Sequence, residues 1–490
     1  VDDERIRAIE TEVTRTLVPG APAGWKRFDA PLPPPKYAAP AMAAPLSERA
    51  LGVFPTVAQA YAAAADAFAA YRSVSLERRF AIVDAVRGSL REHLDEISRL
   101  AVEETGLGRA ADKVRKNRLV TDKTPGPEIL RPEAWSGDHG LMITEPAPYG
   151  VIGSITPSTN PSETVINNGI GMISAGNAVV FNAHPSARRV TLRTLSIMNA
   201  AIVAAGGPPN LLATCAEPSI ETAQELMRTR GIRLLVVTGG AGVVQAAFQS
   251  GKKVIAAGPG NPPVVVDETA DLAKAARDTV ASASLDNNVI CTSEKETFCV
   301  ESVTGRLLDE MERAGCYRMS AQQAVELRKH VLIEDRGAGK PGVVNRDLIG
   351  KNAGVLLARI GVHVGDGVRL AIFQAEPDDP LVWTEQLMPV YPVVPVRDCD
   401  AGIELAVRAE HGFGHTASMF SRNIDKLSDM ARRINTSIFV KNGPNFAGLG
   451  LGGEGYTSFT IASPTGEGLT SARHFSRYRR CTLVDHFRIV

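Results

Sequence analysis

The stretch "YGVIGSITPSTNPSETVINNGIGMISAGNAVVF", residues 149–181, decides the fold. Its first seven residues are a short apolar run that reads as a strand. The polar TPSTNP turn follows, and residues 162–174 carry helical spacing. NAVVF is then a second strand. Strand, turn, helix, strand is the unit of a parallel sheet, and the chain repeats it. Residues 186–205 read as a helix, NLLAT (210–214) as a strand and residues 218–229 as a helix. RLLVVTGG (233–240) is a strand running into a helix that ends near residue 250, and KKVIAA (252–257) is a strand. This alternation predicts an α/β fold with a doubly wound parallel sheet. Such sheets take ligands at the carboxyl ends of their strands, where helix N-termini offer N–H groups and partial positive charge.

Upstream, TVAQAYAAAADAFAAYRS (56–73) is a helix capped by Thr56, and residues 75–106 form an amphipathic helical stretch closed by Gly106. Residues 2–18 place Ile6, Ile9, Val13 and Leu17 on one helical stripe. The Pro/Ala-rich segment after it reads as an extended linker that holds this helix away from the core. Downstream, a second α/β unit begins at PPVVVDET (262–269) and continues through TASMFS (416–421) and TSIFVKNG (436–443). The terminal RRCTLVDHFRIV (479–490) alternates as a strand with no obvious partner in its own domain, so a neighbouring subunit is its expected partner.

The 490 residues are 44% hydrophobic and 22% charged, ordinary for a globular enzyme of two or three domains. Lys plus Arg and Asp plus Glu both number 54, so no basic field argues for nucleic acid. No apolar run reaches the length of a membrane span. The acidic start, Val1-Asp2-Asp3-Glu4, is the opposite of a signal peptide, and the missing initiator Met suggests trimming. The six cysteines form no C-x-x-C pair, which argues against a zinc cluster and for reduced thiols in a cytosol-like compartment.

Two features carry candidate chemistry. Cys291 lies in LDNNVICTSEK (285–295), where it reads as buried filler, metal ligand or nucleophile. Gly239 and Gly240 in VVTGGAGVV form the best phosphate-binding turn, although any strand-to-helix turn favours glycine. The G-x-G-x-x-G fingerprint is absent after the first strand, and no phosphate loop ending in Lys-Ser/Thr exists. His411 and His415 are four apart, but two glycines interrupt any helix between them and no acidic third ligand is evident.

The core stretch EPAPYGVIG…HPSA (145–187), then TGGAGVV (238–244), GPGNPP (258–263) and the cysteine loop stand in an order that resembles the aldehyde dehydrogenase superfamily. Within it, the combination is most similar to the CoA-acylating aldehyde dehydrogenases of bacterial microcompartments. The resemblance covers about residues 45–490, and the N-terminal helix with its linker resembles an encapsulation peptide. It implies two doubly wound α/β domains plus a small β oligomerisation element and an N-terminal targeting helix. The expected boundaries are 1–20 for the helix and 21–45 for the linker. The NAD/CoA-binding domain takes 46–138 and 150–262, the catalytic cysteine domain 263–455, and the oligomerisation strands 139–149 and 478–490.

The resemblance also implies the site. Cys291 becomes the nucleophile, forming an adduct that leaves a thioester after hydride loss. Asn160, helped by the Cys291 backbone N–H, would hold the oxyanion. Cofactor contacts are implied at Thr156, Pro157, Ser158, Asn182, His184, Pro185, Thr238, Gly239, Gly240, Val243, Ala257, Gly258, Pro259, Glu385 and Pro389. Glu385 matches the family's nicotinamide-ribose ligand. Asn182 and Pro185 replace the usual adenine-ribose ligands, a Lys and a Glu, which bears on NAD against NADP. Hydrolytic members carry a general-base glutamate where this chain has Ala257. The thioester should therefore persist until a thiol such as coenzyme A arrives, since thiols ionise near pH 8–9.

The implied cofactors are NAD and coenzyme A, and no metal. The implied substrate is propionaldehyde first and acetaldehyde second, with the loop at 443–468 lining its entrance. The implied setting is a microcompartment lumen in the cytoplasm. Residues 1–18 would bind shell or cargo proteins, and the enzyme would be a homodimer or homotetramer. Two alternatives stand beside this reading. A phosphoacyl- or semialdehyde-type reductase needs a cation cluster near Cys291, where the sequence offers only Lys295. A non-catalytic shell-binding protein has no use for an intact Cys291 and Asn160.

Overall fold

The computed structural model describes residues 51–489, so the expected targeting helix and the linker lie outside the described residues. The described chain begins with β1 (Val53–Phe54) and four helices: α1 (Val57–Tyr71), α2 (Leu76–Glu92), α3 (Leu94–Thr105) and α4 (Ala110–Lys123). Thr56 caps α1 by accepting from the Gln59 N–H at 3.2 Å. The amphipathic stretch 75–106 is two helices, not one. His93 leaves helical geometry at φ −111°, ψ 8°, and its N–H closes α2 on Leu90 O. Asp95 and Glu96 then start α3, where the helix dipole favours acids, and Gly106 ends it at φ 68°.

The first sheet holds β4 (Val151–Ile155), β5 (Ala178–Asn182), β6 (Leu212–Cys215), β7 (Leu234–Thr238) and β8 (Lys253–Ala257), with helix α5 (Pro161–Ser174) following β4. Helices α6 (Arg188–Ala204), α7 (Ile220–Arg228) and α8 (Ala241–Phe248) make the later crossovers. The strand order is β1-β6-β5-β4-β7-β8, and its pairings are parallel. Every residue of β4 and β5 is buried, as a sheet covered on both faces requires. The chain leaves β4 outward to β5 and β6, then returns to β7 on the other side. The gap between β4 and β7 is therefore the topological switch point.

The second sheet has the order β11-β14-β15-β10-β9-β16-β17, also with parallel pairings. Its strands are β9 (Pro263–Val266), β10 (Glu296–Val300), β11 (Tyr317–Arg318), β14 (Ala371–Gln374), β15 (Val390–Val396), β16 (Thr416–Phe420) and β17 (Ile438–Lys441). Helix α9 (Leu272–Ala283) leads from β9 to the cysteine loop. Two small ribbons, β12 (Leu332–Glu334) with β13 (Val343–Val344) and β18 (Ile461–Ala462) with β19 (Gly468–Leu469), decorate the loops.

A third, antiparallel sheet joins β2 (Glu133–Gly137), β3 (Gly140–Pro148) and β20 (Ser476–Val484). This corrects one expectation. The terminal strand has a partner in its own chain: it runs along β3 from Ser476↔Pro148 to Val484↔Gly140. Sequence distance hid the pairing.

Candidate active site

The cysteine loop is built on three consecutive left-handed residues. Asp286, Asn287 and Asn288 take φ of 51°, 55° and 65°. Asp and Asn tolerate this region better than other residues with a Cβ, which explains the DNN sequence. Their side chains then fasten the turn. Asp286 Oδ1 accepts from Arg109 N at 2.8 Å, and Asn287 Nδ2 donates to Gly350 O at 2.8 Å. Asn288 Nδ2 donates to Ala283 O at 2.7 Å and Glu294 O at 2.9 Å. Gly108 makes room beneath them, since a Cβ there would lie 1.9 Å from Asp286 Oδ1.

Cys291 leaves this turn half-buried, on the wall of a cavity of about 740 Å³. The cavity sits at the carboxyl ends of β4, β5, β7 and β8, across the switch point. Thr156, Pro157, Ser158 and Asn160 line it after β4, Asn182, His184 and Pro185 after β5, and Thr238, Gly239, Gly240 and Val243 after β7. Gly258, Pro259, Cys291 and Glu385 complete the set, with Leu449, Ser458, Phe459 and Ile461 from the loop at 443–468. Two expected residues stand outside this wall. Ala257 ends β8 in the core, its carbonyl accepting from Gly239 N, and Pro389 O accepts from Ala371 N in the second sheet.

The residues fit a nucleotide cofactor. Gly240 caps α8, and among the described residues a Cβ on it would meet nothing within 4 Å, so open space lies over that helix N-terminus. The Thr156 hydroxyl on the same wall is buried without a hydrogen-bond partner among the described residues. Asn182 fits less well as a ribose ligand, because its Oδ1 already accepts from Thr222 Oγ1 at 2.7 Å.

Electrostatics around the thiol follow from burial. Burial and the Glu385 carboxylate push the Cys291 thiol up to about 12, against the pull of Lys295 and Lys116. Burial likewise raises Glu385 to about 7, although Lys295 and the Gly260 N–H oppose it; Glu385 Oε1 accepts from Gly260 N at 3.2 Å. His415 is fully buried and pushed down to about 3 by burial and Lys295, with Nδ1 on Thr416 Oγ1 at 2.8 Å. His411 Nε2 instead meets Trp383 O at 2.9 Å. Neither histidine lines the cavity.

The model of the aldehyde dehydrogenase family matches residues 36–463. The chain belongs to this family. It is 52% identical to the acetylating acetaldehyde dehydrogenase EutE of Salmonella typhimurium, over 90% of this chain and 94% of that one. It superposes at a TM-score of 0.87 on a propionaldehyde dehydrogenase from the Clostridium phytofermentans fucose utilisation bacterial microcompartment, 43% identical, over 90% of this chain and 100% of that one. It also resembles a Rhodopseudomonas palustris propionaldehyde dehydrogenase, solved with bound CoA and an acylated cysteine. That match has a TM-score of 0.86 and 45% identity, over 89% of this chain and 98% of that one.

For a member of the aldehyde dehydrogenase family, the cations around this cysteine differ from what local sequence indicates. Lys295 is not directed at the cavity: its ammonium is spent on Asn288 O, Asn288 Oδ1 and Ile290 O. Arg346, far away in sequence, lines the cavity instead. Two further lysines, Lys113 and Lys116, reach the site from α4 and are fully buried. Sequence reading missed them. The available signal was two lysines at i, i+3 on a helix, which reads equally as a solvated face.

Proposed function

We propose that this chain is a CoA-acylating aldehyde dehydrogenase that converts acetaldehyde or propionaldehyde to the acyl-CoA with NAD. Ala257 carries the reading. The position that holds a water-activating glutamate in hydrolytic relatives has a methyl group buried at the end of β8. Glu385 is the one carboxylate on the cavity wall among the described residues, and it is held by the Gly260 N–H.

Cys291 Sγ adds to the aldehyde carbon as the thiol proton leaves to solvent in the open cavity, and Asn160 Nδ2 with the Cys291 N–H receives the oxyanion. The nicotinamide cofactor, when bound, supplies a hydride acceptor. Loss of hydride from the adduct leaves an acyl thioester on Cys291. The CoA thiol attacks that thioester, takes the acyl group and returns the Cys291 thiol. Thr156 and the Gly239–Gly240 turn would hold the dinucleotide, and Arg346 is available to phosphates.

A thioester assay with and without CoA tests this. Acyl-CoA should form with CoA, and carboxylate should appear very slowly without it. Fast, steady carboxylate release without CoA overturns the reading. Reduction of an acyl phosphate in place of acyl-CoA supports the phosphoacyl alternative.

The proposal extends to assembly. Trp135, Tyr478 and Val484 are exposed on the third sheet, which suits a homodimer or homotetramer; a monomer in sedimentation refutes this. Residues 1–18 are proposed to dock on a microcompartment shell or cargo protein. Deleting residues 1–20 should leave turnover in solution unchanged and release the enzyme from shells.

A further inference from the structure

We propose that Lys116 is the positioning residue of the oxyanion site: its ammonium holds the Asn160 amide with the oxygen turned inward and the N–H turned to the aldehyde. This rests on the reading of Asn160 as the oxyanion ligand.

The geometry is specific. Lys116 Nζ lies 2.6 Å from Asn160 Oδ1, 2.6 Å from Asp286 Oδ2 and 2.9 Å from Glu163 Oε1. An ammonium has three N–H donors and no acceptor, so any group facing it must accept; among the described residues the Asn160 contact is its hydrogen bond, and the two carboxylates are ion-pair contacts. An asparagine side chain can be turned either way with little change in shape. A donor-only partner removes that freedom, because only the oxygen can face Lys116. Nδ2 is left for the cavity, its hydrogen bond among the described residues being to Thr159 Oγ1 at 3.4 Å. A cation on Oδ1 also polarises the amide and strengthens its N–H as a donor.

Asn160 gives up a local role to do this. It is the N-cap of α5, where an Asn side chain ordinarily accepts from the first helical turn. Here the side chain makes no cap hydrogen bond. The long-range bond to Lys116 has displaced the cap.

The surroundings keep the ammonium charged. Burial pulls Lys116 down, but Asp286 and Glu163 more than offset it, so its pKa is raised. Lys113 completes a neutral quartet, with Nζ 2.9 Å from Asp286 Oδ2 and 3.3 Å from Thr159 O. Two lysines of α4 thus fasten the Asn160 loop and the Cys291 loop to one another. Buried ion clusters are poor stabilisers, since well-packed apolar residues often do as well. This cluster touches both reacting loops, which points to function.

The test is a double-mutant cycle read by the burst of NADH. Lys116→Met alone would strand carboxylates, so the principal variant is Lys116→Met with Glu163→Leu, which leaves the neutral Lys113–Asp286 pair. The burst rate should fall about 10- to 100-fold, with the aldehyde KM little changed. Alkylation of Cys291 by iodoacetamide, which reads the loss of the small Lys116 pull on the thiol, should slow by no more than about threefold. In an Asn160→Ala background the same pair of changes should cost less than about threefold, because its target is gone. Lys116→Arg, which keeps charge and donors, should retain more activity than the double variant. An equal loss in both backgrounds, or a wild-type burst in the double variant, overturns the proposal. A wild-type burst in Asn160→Ala alone overturns the oxyanion reading itself.

Discussion

Gly260→Ala puts one methyl group between the nucleophile loop and the wall behind it. A Cβ at this position would lie 2.7 Å from the Cys291 carbonyl oxygen and 3.0 Å from His415 Cγ. Ordinary contacts begin near 3.4 Å, so the Cys291 carbonyl would have to retreat by about 0.7 Å. The other neighbour cannot easily give way: the His415 ring is fully buried and tied to Thr416 Oγ1. Gly260 N also holds Glu385, so the shift reaches that carboxylate too. Overpacking of this size costs about 1–3 kcal/mol of stability. A nucleophile displaced by most of 1 Å loses about 10- to 100-fold in kcat.

The assays are acyl-CoA formation, urea unfolding and the rate of Cys291 alkylation. Gly305→Ala is the control. It lies exposed on the helix Glu301–Arg313, outside the cavity wall, and among the described residues its Cβ would meet nothing within 4 Å. It should lose less than about threefold. Wild-type turnover and wild-type stability in Gly260→Ala would refute the argument that glycine is there to let the cysteine loop approach.

Cys291→Ala should abolish acyl-CoA formation while NAD binding, read by calorimetry, persists; turnover in the purified variant contradicts the assignment. Wild-type enzyme given aldehyde and NAD without CoA should show a burst of NADH and then a slow phase, and a steady fast rate refutes the absence of a water-activating base at Ala257. Glu385→Gln removes a charge that raises the Cys291 thiol, so alkylation should speed up. The gain should be larger at pH 8 than at pH 6, because Glu385 ionises near 7. Folding raises the Glu385 pKa, so its contribution to stability is present at low pH and lost as pH rises through about 7. Glu385→Gln should therefore raise the melting temperature at pH 8 more than at pH 5.

Local pattern determined much of this protein. Short, mostly apolar runs between helical segments announce β4, β5, β7 and β8, because strands covered on both faces favour apolar residues. The ends of those strands bring Thr156, Asn160, Asn182 and Gly239 to one cavity, as any doubly wound sheet would. The DNN turn before Cys291 is legible for the same reason: left-handed backbone favours Asp and Asn.

Tertiary structure decided what depends on distant partners. The Lys116–Asn160 bond spans 44 residues and Lys113–Asp286 spans 173, so neither lysine looks different from a surface residue in its own helix. Lys295 stands four residues from Cys291, yet its ammonium turns into the loop's carbonyls, while Arg346 reaches the cavity from a short turn after β13. The last strand finds β3, more than three hundred residues earlier. Periodicity reports which face of an element is buried. It carries no record of which element covers that face, and ion pairs and strand partners are set by that second fact alone.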